Sequence, residues 1–350
     1  MVGNKRNFGL DVVRAFSILM VLAAHKFTLQ LEWGGLGVQI FFILSGFLIG
    51  QILIKEFSEE VSFKRIRKFW KFRWFRTLPL YYLVLVARLL LFGNPYGWKI
   101  IVYFFFLQAN LVGISFFGVS WSLVVEEWFY LLLPLGALVM LGKKGSSKGW
   151  LRYMILGIVV VFALRFSWNY LHKGVILYQF DCLFLGVLVA WLKVYKTNVY
   201  TSLNKAWLFL LGVAGMGFFL RLLGKWEDIG LYDTFFRVVW HFLVSICVCV
   251  IIPFMEQSQW INQSIRQIKP LYYLLTWISV LTYSLYLIHM DVFHLVWDVS
   301  PLMNLLLQTG LLFSICFTVY ALFEHPAMTL RNELSLNRYL RSIKEFSFKI

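Results

Sequence analysis

The sequence predicts an all-α fold, a polytopic membrane bundle of about ten transmembrane helices with a re-entrant or interfacial segment near 98–118. Three observations predict it. Of the 350 residues, 60% are hydrophobic, 19% aromatic and only 14% charged, with a mean hydropathy of +0.74, whereas soluble domains carry about 45–50% apolar and about 25% charged residues. Too few polar side chains exist to coat a water-facing surface, which excludes soluble folds, disorder and secreted disulfide scaffolds. Apolar runs near the about 20 residues that a spanning helix needs recur along the whole chain. Between them, rather than within them, lie most of the Lys and Arg.

The first span, 8–29, follows Lys5 and Arg6 and ends in small residues, as a signal peptide does. Cleavage there would discard Arg14 and leave a chain that still spans throughout, so a first transmembrane helix is the simpler reading. Further spans are expected at 35–54, 77–93, 119–141, 153–170, 175–192, 206–223, 234–254, 271–293 and 302–323. The apolar stretch 98–113 is ambiguous by hydropathy alone. Were it to cross, Lys143, Lys144, Lys148 and Arg152 would face outward with the later basic loops, against the positive-inside rule. Ten spans with both termini cytoplasmic place every basic loop inside. The outer edges then hold only Lys26, Lys99, Lys173 and Lys225, and Arg14, Arg88, Arg165, Arg221 and Arg237 lie within spans. The net charge of +16 is therefore topological and does not call for nucleic acid. Residues 1–330 read as one transmembrane domain and 331–350 as a basic cytoplasmic tail, without an appended soluble module. Cys182, Cys247, Cys249 and Cys316 sit in apolar runs without metal-ligand spacing and are expected to pack as small apolar residues.

Ionisable residues at membrane depth cost at least about 2.5 kcal/mol each and mark candidate functional positions. His25, Arg88, Glu126, Glu127, Arg165, Asp181 and His289 fall in the outer half of the ten-span layout, Asp11 and Arg14 in the inner half. Arg14 and His25 are eleven positions apart, which is three turns plus about 20°, so they share a face about 16 Å apart along the axis. Asp11, one turn before Arg14, can pair with it and suits the helix N-terminus. His25 reads either as a helix-end histidine bonded to a carbonyl or headgroup, or as an acid–base group. The stretch 61–76 has seven basic residues and no acidic one, interleaved with aromatics. It suits an interfacial helix on anionic lipid, or a surface for an anionic ligand such as a nucleotide diphosphate. Glu126 and Glu127 diverge by about 100°, so only one faces a given cavity. Either can orient a histidine, pair with Arg88 or Arg165, or sit protonated.

These residues resemble the integral-membrane acyltransferase-3 family, which includes O-acetyltransferases of bacterial surface polysaccharides. LDVVRAFSILMVLAAH carries its Leu-Asp, Arg and His as Asp11, Arg14 and His25, and GVQIFFILSGFLI, at 37–49, carries its Ser-Gly as Ser45 and Gly46. FRWFRTLPLYY supplies an Arg-x-x-Arg pair as Arg73 and Arg76, and SWSLVVEEWFYLLLP supplies Trp121, Ser122, Glu126 and Glu127. TYSLYLIH ends at His289, and FEHP surrounds Glu324 and Pro326. In YQFDCLFLGVLVA, which holds Asp181, relatives often carry an arginine at the place of Gln179.

The resemblance implies transfer of an acetyl or other short acyl group from cytoplasmic acyl-CoA to a hydroxyl of an extracytoplasmic glycan, such as O-antigen, capsule or exopolysaccharide, or of its lipid-linked precursor. It implies His25 as catalytic base or transient acyl carrier and Glu126 as its orienter. Arg14, Arg73 and Arg76 become donor-binding residues, and Asp11, Ser45, Trp121, Ser122, Glu127, Asp181 and His289 supporting ones. Arg88 and Arg165, with Arg221 and Arg237, are expected near an acidic acceptor. Acetyl-CoA enters as co-substrate; no permanently bound cofactor, metal or nucleic acid is expected, and membrane lipids are the surrounding partner. The alternatives are an acyltransferase for a lipid or small hydroxylated metabolite, or a transporter of a lipid-linked sugar. Against transport, the sequence shows neither inverted repeats nor paired broken helices.

Overall fold

The computed structural model describes residues 6–27, 31–111, 115–167, 179–226 and 233–330. The tail expected at 331–350 lies outside them, as do the outer ends of the spans expected at 8–29, 153–170 and 175–192. The described residues form helices and turns without a strand. In chain order the helices are α1 (Phe8–Lys26), α2 (Leu31–Glu59), α3 (Phe63–Phe92), α4 (Ile101–Phe104), α5 (Gln108–Leu111), α6 (Ser120–Leu141) and α7 (Ser147–Ser167). They continue as α8 (Phe180–Tyr195), α9 (Thr197–Ser202), α10 (Ala206–Trp226), α11 (Asp233–Gln257), α12 (Lys269–Phe293), α13 (Pro301–Val319) and α14 (His325–Leu330).

Ten long helices among the described residues overlap the ten expected spans, and the chain is a multi-pass membrane helical bundle. Among the described residues seven helices are long and apolar enough to cross a membrane, and α10 and α11 contribute shorter apolar stretches, Ala206–Arg221 and His241–Gln257. The described residues within 97–117 form short helical turns, none long enough to span. The basic stretch 61–76, which suits either an interfacial helix or a surface for an anionic ligand, is from Phe63 onward continuous with the following span. Together they make one helix of 30 residues, about 45 Å long against a hydrocarbon core of about 30 Å. The aromatics between its cations favour helix continuation as readily as interfacial anchoring, and no glycine or proline interrupts it before Pro79.

Helix ends follow local chemistry. Asn7 caps α1, its Oδ1 accepting from Leu10 N at 3.0 Å, with Asp11 in the first turn and Lys26 in the last; each charge opposes the nearer pole of the helix dipole. Ser300 caps α13 ahead of Pro301, a pairing that uses proline where its missing N–H is harmless. Gly142 ends α6 at φ 68°, in the left-handed region that favours glycine.

The described residues fall into two compact units. The first draws on 1–65 and 125–279 and holds α1, α2, most of α6, α7 to α11 and the start of α12. The second draws on described residues within 66–124 and 280–330 and holds most of α3, α4, α5, the start of α6, the rest of α12, α13 and α14.

In the first unit α2 crosses α8 at backbone contact. A Cβ placed on Gly46 would lie 2.1 Å from the Leu183 carbonyl oxygen, and one on Gly186 would lie 2.1 Å from that of Ile43. Gly37 lets α2 approach the Ser17 carbonyl of α1 in the same way. Small residues are how membrane helices gain dispersion contact, because lipid supplies little hydrophobic drive between them. At one end of this packing Lys193 donates to Gln51 Oε1 at 2.7 Å and to Glu256 Oε1 at 2.5 Å. The Tyr200 hydroxyl donates to the other oxygen of Glu256 at 2.5 Å. Burial, reinforced by that carboxylate, pushes the Tyr200 phenol well above its ordinary range, so it stays a donor.

In the second unit the 97–117 segment is tied to α3. Tyr81 and Tyr82 donate to the carbonyls of Tyr103 and Phe104, each at 2.8 Å. Phe106, a non-glycine residue at φ 56°, is held there with its ring 4.5 Å from that of Tyr81.

Candidate active site

Helix α1 carries a polar stripe with an ion cluster at one end and an imidazole at the other. Asp11 is buried and accepts from Arg14 Nη1 at 2.6 Å through Oδ1, as the three-residue spacing leads one to expect. Its second oxygen accepts from Arg6 Nε at 2.5 Å. Ser279, on α12, donates to Asp11 Oδ1 at 3.1 Å and accepts from Arg6 Nη2 at 3.1 Å. One carboxylate therefore holds two guanidinium groups.

His25 lies eleven positions beyond Arg14, about 16 Å along the helix. Its Nδ1 is 2.9 Å from the Val21 carbonyl oxygen. A carbonyl can only accept, so this geometry assigns the proton to Nδ1 and makes Nε2 the basic nitrogen. This contact is the helix-end hydrogen bond that the sequence leads one to expect. Gly34 of α2 passes close by; a Cβ there would meet Ala24 Cβ at 3.2 Å and His25 Cε1 at 3.8 Å.

Farther along α2, the Ser45 hydroxyl is 2.5 Å from that of Tyr130 on α6. Tyr130 lies four residues after Glu126, on the same stripe of that helix. Glu127 is buried and Glu126 half-buried. Asp181 is buried in the first turn of α8, two residues from the Leu183 carbonyl that faces Gly46, so Asp181 and Ser45 belong to one helix junction. Gln39, the single amide in the apolar run 36–49, donates to the His241 carbonyl and, at 2.7 Å, to Ser245 Oγ. Ser245 in turn lies 3.2 Å from Cys182 Sγ. Interhelical bonds of this kind stitch α2, α8 and α11 together.

The second unit holds the remaining candidates. Ser122 donates to the Tyr286 hydroxyl at 2.7 Å. His289 is fully buried, and its Nδ1 faces the carbonyls of Leu285 at 3.1 Å and Tyr286 at 2.8 Å. Here too the carbonyls assign the proton to Nδ1, within the turn of its own helix. Trp121 and Arg73 are half-buried and Arg76 is exposed on α3. Glu324 is buried in a π turn between α13 and α14 and accepts from Ser284 Oγ at 2.7 Å. Among the described residues no group of three His, Cys, Asp or Glu is placed to hold a metal ion.

The family model described as "Acyltransferase domain" matches residues 7–323. The chain belongs to this acyltransferase family. Among curated proteins it is similar to the peptidoglycan O-acetyltransferase OatA of Listeria monocytogenes, 31% identical over 43% of this chain and 27% of the relative. It is also similar to the O-acetyltransferase OatA of Staphylococcus aureus, 31% identical over 36% of this chain and 24% of the relative. The matched part is thus about a quarter of each relative's length. No solved structure matches the chain.

In this acyltransferase several contacts escape sequence reading. Arg6, Ser279 and Tyr130 complete clusters whose other members the motifs contain, and Gln39 was detectable only as a lone amide in an apolar run. Arg88, expected near an acceptor, pairs with Asp291, donates to the Phe116 carbonyl, and lies 5.0–5.4 Å from the rings of Phe92, Phe116 and Phe117. It thereby fastens the 97–117 segment. Arg165 lies in the last turn of α7, its side chain outside the described residues.

Replacing Arg88 by alanine leaves Asp291 without its cation and Phe116 without its donor. Charge-assisted bonds are worth about 1.5–3 kcal/mol, so an unfolding temperature below that of wild type in detergent is expected. Faster proteolysis within 97–117 should accompany it; an unaltered cleavage rate would remove Arg88 as the fastener.

Proposed function

We propose that the protein is a membrane O-acyltransferase that moves an acetyl or other short acyl group from cytoplasmic acyl-CoA to a hydroxyl of an extracytoplasmic cell-surface glycan or its lipid-linked precursor. The observation that carries this reading is the acyltransferase family match across residues 7–323. Both relatives are named as O-acetyltransferases, one of them of peptidoglycan, which favours a wall glycan; O-antigen, capsule and exopolysaccharide chains offer the same hydroxyl chemistry. The distribution of basic loops favours both termini in the cytoplasm.

His25 Nε2 takes the proton of the acceptor hydroxyl as its oxygen attacks the thioester carbonyl. Collapse of the tetrahedral intermediate breaks the carbon–sulfur bond, and the imidazolium returns the proton to the departing CoA thiolate. In the acyl-histidine variant, Nε2 itself attacks the thioester and the carbon–sulfur bond breaks to release the CoA thiolate; the acceptor hydroxyl then attacks the acyl group, the carbon–nitrogen bond breaks to free Nε2, and the hydroxyl proton passes to the thiolate. Glu126 is the orienter of His25, and Asp11 holds Arg14 toward the donor. Arg73 and Arg76 meet the donor phosphates as bidentate groups. Ser45, Trp121, Ser122, Glu127, Asp181 and His289 support the helices that carry these groups.

The test supplies membranes containing wild type or His25→Ala with radiolabelled acetyl-CoA and separates glycan, lipid and protein. Label in glycan with wild type alone is expected. His25-dependent label in lipid would replace the acceptor class, and no His25-dependent label in any fraction would remove acetyl transfer.

A further inference from the structure

The glycines of α2 are of two kinds. At Gly37, Gly46 and Gly50 an added Cβ would lie 2.7 Å from the Ser17 carbonyl oxygen, 2.1 Å from that of Leu183 and 2.9 Å from Ala190 Cβ, so close helix approach requires glycine there. Gly34 and Gly35 meet no such demand. At Gly34 the Cβ would meet Ala24 Cβ at 3.2 Å, a contact that a shift of a few tenths of an ångström relieves, and His25 Cε1 at 3.8 Å. At Gly35 it would meet nothing within 4 Å. Each glycine inside a helix costs about 0.5–1 kcal/mol relative to alanine, and packing gives no reason for two in succession.

The pair leaves the backbone bare beside His25. Cε1 is the ring carbon between Nδ1 and Nε2, so Gly34 lies along the imidazole edge that carries both nitrogens. Gly34 is buried and Gly35 exposed, and the bare backbone runs from that edge to the surface. Positions 33 and 35 diverge from 34 by about 100° to either side. On one side stands the indole of Trp33, 43% exposed; on the other there is no side chain. Glycine is the residue that lets a ligand approach the backbone closely, and the open side is that of Gly35.

We infer that Gly34 and Gly35 are specificity-determining residues for the acceptor: the sugar ring that bears the hydroxyl reaches His25 over the bare backbone of α2, on the Gly35 side. The inference rests on the reading under Proposed function, which makes His25 the base and brings the acceptor from the outer face, where α2 starts. A hydroxyl carried on a pyranose ring within a glycan chain has bulk on both sides and needs that clearance; the hydroxyl of a two-carbon alcohol does not. Side-chain bulk at 34 or 35 therefore separates acceptors by size without touching the donor.

The test uses the full chain in nanodiscs, which expose both faces, with radiolabelled acetyl-CoA and two acceptors, an N-acetylglucosamine oligosaccharide and ethanol. Gly35→Leu is expected to raise KM for the oligosaccharide at least about tenfold, the scale on which a pocket discriminates added side-chain bulk, with transfer to ethanol and KM for acetyl-CoA as in wild type. Gly34→Ala should act in the same direction by a smaller factor. The unfolding temperature of Gly35→Leu should equal or exceed that of wild type, because a Cβ there meets nothing and leucine favours helix; this separates blocked access from misfolding. A second readout needs no acyl transfer: carbethoxylation of His25 by diethyl pyrocarbonate, a reagent much bulkier than ethanol, followed by mass spectrometry. Gly35→Leu should slow it. An unchanged oligosaccharide KM or an unchanged carbethoxylation rate in Gly35→Leu would overturn the inference. So would an equal loss toward ethanol, a raised KM for acetyl-CoA, or wild type that acetylates ethanol but not the oligosaccharide. Slower carbethoxylation in Gly35→Leu, together with wild type that transfers acetyl to neither acceptor, would remove the proposed function and leave the route to His25 standing.

Discussion

Replacing His25 with alanine is expected to slow acyl transfer by about 10²–10⁴-fold, the usual contribution of a positioned acid–base group, while the protein stays folded. The imidazole sits in the last turn of α1 and is half-buried. It gives the fold the bond from Nδ1 to the Val21 carbonyl at 2.9 Å, a contact worth about 1 kcal/mol net. Loss of stability is therefore small beside loss of rate. His25→Gln sharpens the comparison, because a glutamine amide can still donate to a carbonyl but has no basic nitrogen. It should retain the wild-type unfolding temperature and be as inactive as alanine. The measurement is the initial rate of label transfer in proteoliposomes, paired with thermal unfolding of the same preparations. A glutamine variant within twofold of wild type would remove His25 from the chemistry and return it to a helix-end role.

The sequence was most informative where the information is local. Asp11 and Arg14 share a turn, and their 2.6 Å pair follows from three-residue spacing alone. The failure of 97–117 to span followed from loop charge rather than hydropathy, since its apolarity matches that of several helices that do span. The helix continuing from Phe63 through Phe92 was harder to anticipate, because a basic aromatic stretch satisfies an interfacial pattern and a helical extension equally well. Partner choice across the chain was not legible at all. Arg88 meets Asp291, 203 positions away, and Asp11 meets Ser279, 268 positions away. An arginine inside a span announces that it needs a carboxylate or carbonyl, but only tertiary packing decides which one. Arg88, expected near an acceptor, finds its carboxylate in Asp291. The serine at 45 was visible in its motif, but its bond to Tyr130 was not, since a tyrosine in an apolar helix carries no mark of its partner.

Valine at Gly46 or Gly186 is expected to destabilise the first unit at or above the upper end of the about 1–3 kcal/mol typical of overpacking. The reason is the kind of atom each Cβ would meet. At both positions it is a backbone carbonyl oxygen, 2.1 Å away, and a helix backbone cannot rotate aside as a side chain can. Relief requires α2 and α8 to separate, which breaks the close approach along their length, including that of Gly50 beside Ala190 and Val187. Gly35 and Gly310 supply the contrast, because a Cβ at either meets nothing within 4 Å. Alanine there should stabilise by about 0.5–1 kcal/mol through reduced freedom of the unfolded chain and better helix propensity. Thermal unfolding in detergent and the folded fraction recovered from membranes read both directions in one series. The double variant Gly46→Val with Gly186→Val tests the geometry further. If one clash already parts the helices, the second adds less than its own single effect. Strict additivity would mean that the two glycines relieve separate contacts and that α2 and α8 do not share a single crossing.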